Sequence, residues 1–441
     1  MESTGDKISQ TRKSKSIMNT ILFFIFLSAI FCSSCNKDID KVNYFTSKND
    51  TLIIKTETVK GVGMFPAGAG EIHFETNNRF IDFPLIVPEN ISDVKIGFEL
   101  FDFKPWKYEQ YKKGNMDRSS IIEDIYKGKI DTLIAPSLKD NSICILSGSK
   151  DDKMIFIVDE NNNKNFKDDK IRHYQKMDWK TTTNLIKCDY KIYNGKKLAT
   201  DSTWINIGFS PIDSTLLLFF VSHHLIADLK IDNNSFQIGL VDRQNSFWFD
   251  EPLVAVISEN AYRKDTILKS DLLKLGEYLK LGNDYYCIQD ITNDGSYLTL
   301  VKENNFFSKI GTQVGMIAPE FIFKSFNGDT LSKVTFKNEM FLIANISACT
   351  RSSFNEYKNL LAAMNGKLKI IGINYGITET LGGIMVDIED EYNREFYNHY
   401  RNAYSSYECL LIDKEGRIID KFDIFNWKKN LSKIEIENPI K

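Results

Sequence analysis

Met340-Phe341-Leu342-Ile343-Ala344-Asn345-Ile346, followed by Cys349-Thr350-Arg351-Ser352, decides how the C-terminal part of this 441-residue chain is read. An apolar run of that length, unbroken by charge, is expected to be a strand buried on both faces. The stretch from Ser352 to Met364 is amphipathic, so a short turn and a helix should follow the strand. Cys349 then falls beside the first turn of that helix. Unpaired backbone N–H groups and the helix dipole stabilise a thiolate there, so the position suits thiol redox chemistry. A dithiol centre would carry its second cysteine three residues on, and that residue is Ser352.

Around this core the pattern alternates. Ala318-Pro319-Glu320-Phe321 opens a new unit, and Asn327-Gly328-Asp329 has the composition of a hairpin tip. A second apolar strand spans Leu368 to Asn374, a polar helix is expected from near Glu389 to Asn402, and Leu410-Leu411-Ile412-Asp413 forms another strand. Lys414-Glu415-Gly416 turns the chain into Arg417-Ile418-Ile419, and a last helix should start near Asn426-Trp427. Strands alternating with helices and ending in a hairpin indicate an α/β domain with a mixed sheet.

The order and spacing of Gly315, Ala318-Pro319-Glu320-Phe321, Asn327-Gly328-Asp329-Thr330 and Leu411-Ile412-Asp413-Lys414-Glu415-Gly416 resemble the thioredoxin-like redoxins. The pattern is similar in particular to the TlpA and peroxiredoxin-related lipoproteins of Bacteroidetes, and the resemblance covers roughly a quarter of the chain. It implies a thioredoxin-like domain over 312–441 with Cys349 as nucleophile. It also implies protein or small-molecule thiols and disulfides as partners. The chain departs from the family where the chemistry lies. Cys-x-x-Cys becomes Cys349-Thr350-Arg351-Ser352, the threonine three residues before a peroxidatic cysteine becomes Ile346, and the proline before the penultimate strand becomes Tyr407. A non-proline cis bond costs about 2.5–4 kcal/mol, so Tyr407 is expected in a trans loop.

Three readings of Cys349 follow. As a monothiol it would use the helix start and the positive charge of Arg351. As one half of a disulfide it would use Cys409 as resolving thiol. As a packing residue it would belong to a domain kept for binding rather than catalysis, since a fold does not carry its function with it.

The N-terminal side is different in kind. Residues 1–35 read as an export signal: Lys7, Arg12, Lys13 and Lys15 precede the apolar run Ile21 to Leu27, which is too short for a comfortable membrane span. Ser33-Ser34-Cys35 resembles a bacterial lipobox, which implies a lipid-anchored envelope protein acylated at Cys35, on the periplasmic or the cell-surface face. Residues 36–308 should be β-rich, with one or two units. Short apolar segments recur at Leu52-Ile53-Ile54, Val94 to Phe98, Met154 to Val158 and Leu216 to Val221, and Asp294-Gly295 tips a hairpin. The fold class expected is therefore multidomain α+β, a β-rich region followed by the α/β domain.

Composition bounds the remaining options. Hydrophobic residues make 42% and charged residues 26% of the chain, which is globular, and a net charge of −3 without a basic stripe speaks against nucleic acid. Cys144, Cys188 and Cys287 lie in strand-like contexts and are expected to be buried and inert. Asp159, Asn161, Asn163 and Asp168 place oxygens at alternate positions of one loop, as calcium loops do, and calcium is the one candidate cofactor. Lys164 stands where such a loop carries glycine and Lys170 where it carries glutamate, so a metal-free Asn-rich turn is the competing reading. His223-His224 has no acidic or cysteine partner nearby in sequence and reads as structural.

Overall fold

The computed structural model describes residues 44–46, 50–75, 83–126, 128, 130–133, 137, 139–194, 196–242, 249, 251–347, 351–375, 382–387, 390–401 and 407–432. They are rich in strand and fall into several sheets. The signal segment, Cys35 and Cys349 lie outside the described residues.

The chain starts one β-sandwich, leaves it to complete another, and then returns. Strands β1 (Tyr44–Thr46), β2 (Thr51–Lys55) and β3 (Glu57–Lys60) come first. The inserted unit follows with β4 (Gly70–Glu71), β5 (Phe74–Glu75), β6 (Ser92–Leu100), helices α1 (Phe103–Lys112) and α2 (Ile122–Tyr126), and β7 (Ser142–Lys150). It continues with β8 (Lys153–Val158), β9 (Arg172–His173), β10 (Ile186–Tyr193), β11 (Leu198–Phe209) and β12 (Leu217–Val221). One of its sheets has the order β5-β6-β7-β8-β9 and the other β10-β11-β12-β4. Alternate residues of each sheet point inward, so Ile143, Ile145, Phe156 and Val158 meet Ile186, Cys188, Ile205 and Phe219 in one core.

The enclosing sandwich resumes with β13 (His223–Ile231), β14 (Asn234–Asp242), β15 (Pro252–Glu259), β16 (Tyr262–Arg263), β17 (Tyr278–Leu281), β18 (Asp284–Ile291) and β19 (Tyr297–Glu303). Its sheets run β16-β15-β14-β13-β3 and β1-β2-β19-β18-β17. Leu225, Leu229, Ile238 and Leu240 of the first pack on Ile54, Leu279, Ile288 and Leu300 of the second. The two ends of the insert meet. Gly61, just after β3, donates its N–H to the Ser222 carbonyl just before β13 (2.7 Å), and His224 Nδ1 donates to the Gly61 carbonyl (2.7 Å). A unit whose ends lie together can be inserted without disturbing its host.

The C-terminal unit begins with the hairpin β20 (Ile322–Lys324) and β21 (Thr330–Ser332), then β22 (Phe341–Ser347), helix α3 (Arg351–Met364) and β23 (Lys369–Tyr375). Strand β24 (Ile384–Asp387), helix α4 (Arg394–Tyr400), β25 (Glu408–Ile412), β26 (Ile418–Asp423) and α5 (Trp427–Leu431) complete it. The sheet order is β24-β23-β22-β25-β26, with β22 parallel to β23 and antiparallel to β25. Each face of this sheet has its own core. Leu342, Ala344, Cys409 and Leu411 pack with Tyr357 and Leu360 of α3, whereas Ile343, Ile371 and Leu410 pack with Phe396 and Tyr400 of α4.

Three expectations need adjustment. The β-rich region contains the helices α1 and α2, and β24 adds a strand that the sequence reading lacked. The helix expected from Glu389 starts at Arg394, because the Asp390 carboxylate accepts the Tyr392 N–H (3.0 Å) and caps a 3₁₀ turn over Glu391–Asn393 first.

Candidate functional site

The candidate nucleophile belongs, by sequence, to the strand-to-helix junction. Strand β22 ends at Ser347 and α3 starts at Arg351. Arg351 and Ser352 are exposed on the first turn, while Ser353 is fully buried beneath them. The helix is fixed from below by Tyr357 and Leu360, and from the side by Trp427, whose Nε1–H donates to the Glu356 carboxylate (3.0 Å).

Cys409 lies on β25 opposite Ala344 of β22. Its side chain is fully buried against the α3 side of the sheet, and burial pushes its thiol well above the ordinary value of 9.0. A thiol there packs well and forms thiolate poorly. Cys144 and Cys188 are likewise fully buried, the first pushed up to about 11 by desolvation, and Cys287 is half-buried with its thiol raised for the same reason.

Across from the junction, Asn345 on β22 bridges two other segments. Its amide donates to the Tyr400 carbonyl at the end of α4 (3.2 Å) and to the Glu408 carbonyl at the start of β25 (3.0 Å). Glu408 is itself 3% exposed and paired with Lys421 on β26 (3.0 Å). Tyr407 immediately precedes β25; its carbonyl accepts the Ile424 N–H (2.8 Å) and its ring meets Phe425 edge-on (5.4 Å). No cis peptide bond occurs among the described residues. Asn345 and the Glu408–Lys421 pair escaped sequence reasoning. The signal available was a lone amide inside an otherwise apolar strand, which must find partners when buried.

The loop after β8 assembles the residues expected to hold a cation. The Asp159 carboxylate is fully buried and accepts the backbone N–H groups of Asn163 (2.9 Å) and Lys164 (3.1 Å). Asn161 Oδ1 accepts from Asn163 N–H (3.1 Å) and Asn163 Oδ1 from Asn165 N–H (2.8 Å). The Asp168 carboxylate accepts from the amides of Asn161 (3.3 Å) and Asn163 (2.8 Å). Asp169 is held up at about 6, chiefly by desolvation, with Asp159, Asp168 and Glu160 adding repulsion. No group of three or more His, Cys, Asp or Glu side chains converges as metal ligands would among the described residues. His223 and His224 open β13 at the join of the two sandwiches. Burial drives the first down to about 4 and lowers the second, which keeps both neutral near pH 7.

No protein-family model matches the chain. No curated protein matches it. Solved structures similar to it include the thioredoxin domain of a thiol-disulfide oxidoreductase from Bacteroides vulgatus, at 17% identity. The match covers 27% of this chain and 96% of that one, with a TM-score of 0.23. The C-terminal domain of a putative thiol-disulfide oxidoreductase from Bacteroides thetaiotaomicron is 20% identical over 28% of this chain and 96% of its own, with a TM-score of 0.22. A thiol peroxidase from Chromobacterium violaceum is 14% identical over 35% of this chain and 95% of its own, also with a TM-score of 0.22.

Proposed function

We propose that the C-terminal unit is a thioredoxin-like domain presenting Cys349 as a single-thiol redox centre on an exported, lipid-anchored protein. The observation that carries this reading is the topology. A central strand, β22, has a parallel neighbour on one side and an antiparallel hairpin on the other, and α3 follows it within a few residues. In the sequence Cys349 falls between that strand and that helix. In the reaction the Cys349 thiolate attacks one sulfur of a substrate disulfide. The S–S bond breaks, the departing sulfur leaves as a thiolate that takes a proton from water, and a mixed disulfide remains. Resolution requires a second thiol. Ser352 offers only a hydroxyl and Cys409 is sealed in the core, so the reductant is an external protein or small-molecule thiol. The exchange needs no cofactor.

Trapping tests the reading. Full-length protein exposed to a peptide disulfide should accumulate a mixed disulfide at Cys349 and turn over only when free thiol is added. Ser352→Cys should allow release without it. A protein that forms no adduct at Cys349 supports the binding-module reading, which the burial of Cys409 and the loss of the second active-site cysteine favour. The anchor is tested apart from the chemistry. Cys35→Ala should release the protein from membranes or block its processing, and the same effect from Cys32→Ala alone would overturn the assignment.

A further inference from the structure

The loop between β8 and β9 carries a cation of its own. Lys164 is 1% exposed; its ammonium donates to the Ser142 carbonyl (2.9 Å) and the Asn162 side-chain oxygen, and it forms an ion pair with the Asp159 carboxylate (3.3 Å). The Phe83 ring covers it, with Nζ 5.5 Å from the ring centre. Asp159, the residue that would lead a cation site, thus has its charge neutralised by the sixth residue of its own loop. Lys164 itself is in the left-handed backbone region (φ 69°), as is Asn162 (φ 56°), where glycine is the unstrained choice. A lysine accepted there despite that strain is held by what its side chain does.

We propose that the Lys164 ammonium takes the part a bound divalent ion plays in loops of this type, so that the loop is folded and metal-independent in the native protein. A buried carboxylate needs a counter-charge, and the ammonium supplies it from within. The anchored loop then serves the sandwich. Asp159 N–H donates to the Cys144 carbonyl on β7 (3.0 Å), and the Glu160 carbonyl accepts from Asp189 N–H on β10 (2.8 Å), which ties the two sheets together at this end. The ammonium therefore helps close the sandwich as well as the turn.

Backbone hydrogen exchange at Asn163 to Asn165, measured on the full chain in chelator and in millimolar calcium, tests this directly. Native protein should show strong protection that is the same in both. Lys164→Met keeps the aliphatic stem and the same backbone strain but removes the charge, and should lose at least about tenfold in protection at these amides in chelator. Two results overturn the proposal: native protein whose loop protection rises saturably with calcium, or a Lys164→Met variant that keeps native protection in chelator. The first arm needs no variant, so it decides even where the substitution prevents folding.

Discussion

Desolvated titratable side chains set the residue-scale behaviour of this protein. Cys409, enclosed between β25, β22 and α3, should remain unlabelled by thiol reagents in the native protein and react only on unfolding. Cys409→Ala should cost about 1–2 kcal/mol, because it removes packed volume without breaking a polar network. Glu99 on β6 stands opposite Ile143, and desolvation holds its carboxyl up at about 7 against an ordinary 4.5. An acid raised on folding contributes stability that is complete below its unfolded pKa and is lost as pH rises through the folded one. Glu99 therefore weakens the inserted sandwich progressively between pH 4.5 and 7. His223 works the other way. Its folded value near 4 lies below the ordinary 6.5, so its contribution is present above pH 6.5 and is lost as pH falls toward 4. Glu99→Gln should thus gain on the order of 2 kcal/mol over the native chain at pH 8 and nothing at pH 4, measured by denaturant midpoints. A gain independent of pH would mean that Glu99 does not titrate on unfolding.

Among elements, Asn345 joins the end of α4 to the start of β25 from the central strand, and its loss deprives two carbonyls of the donor it supplies. Asn345→Ala should destabilise the C-terminal unit by about 1–3 kcal/mol, read as a lower melting transition with the sandwich transitions unmoved. Much of the element pattern was legible in the sequence. Short apolar segments marked β2, β6, β8 and β12, the unbroken apolar run marked β22, and Asp294-Gly295 and Asn327-Gly328-Asp329 marked hairpins that the structure contains. What was not legible depends on non-local partners. Strand β24 is four residues long and identified by its pairing with β23, α1 is a polar helix rich in lysine and tyrosine, and the start of α4 is set by one carboxylate hydrogen bond. Lys164 was visible only as a departure from a loop pattern, and its partner at Ser142 comes within reach only once β7 and β8 pair.

At the scale of the molecule, the insertion of one sandwich within another had no sequence mark, because it is defined by Gly61 and Ser222 meeting across a long intervening stretch of chain. The connection into the C-terminal unit is equally a matter of contact. Phe306 stacks on Tyr285 at 3.7 Å, and Gln313 exchanges two hydrogen bonds with the Tyr278 backbone (2.8 and 3.0 Å). Gly315 N–H donates to the Ile418 carbonyl (2.8 Å), and the Arg417 guanidinium donates to the carbonyls of Phe307 (2.7 Å) and Gly315. The segment is thereby fastened to the sandwich and to β26 alike, which fixes the orientation of the C-terminal unit. Arg417→Ala should loosen it by about 1–3 kcal/mol and speed proteolytic cleavage within residues 306–317, with both flanking units intact. On that fixed platform the central claim concerns one sulfur atom, and the pH dependence of its labelling in the full-length protein tests it most directly. The labelling rate of Cys349 should follow a titration with a midpoint below the roughly 8.5 of a free thiol, as a helix start and the Arg351 cation require. A midpoint and rate equal to those of the same thiol in the unfolded chain would contradict the account and leave the C-terminal unit as a binding module.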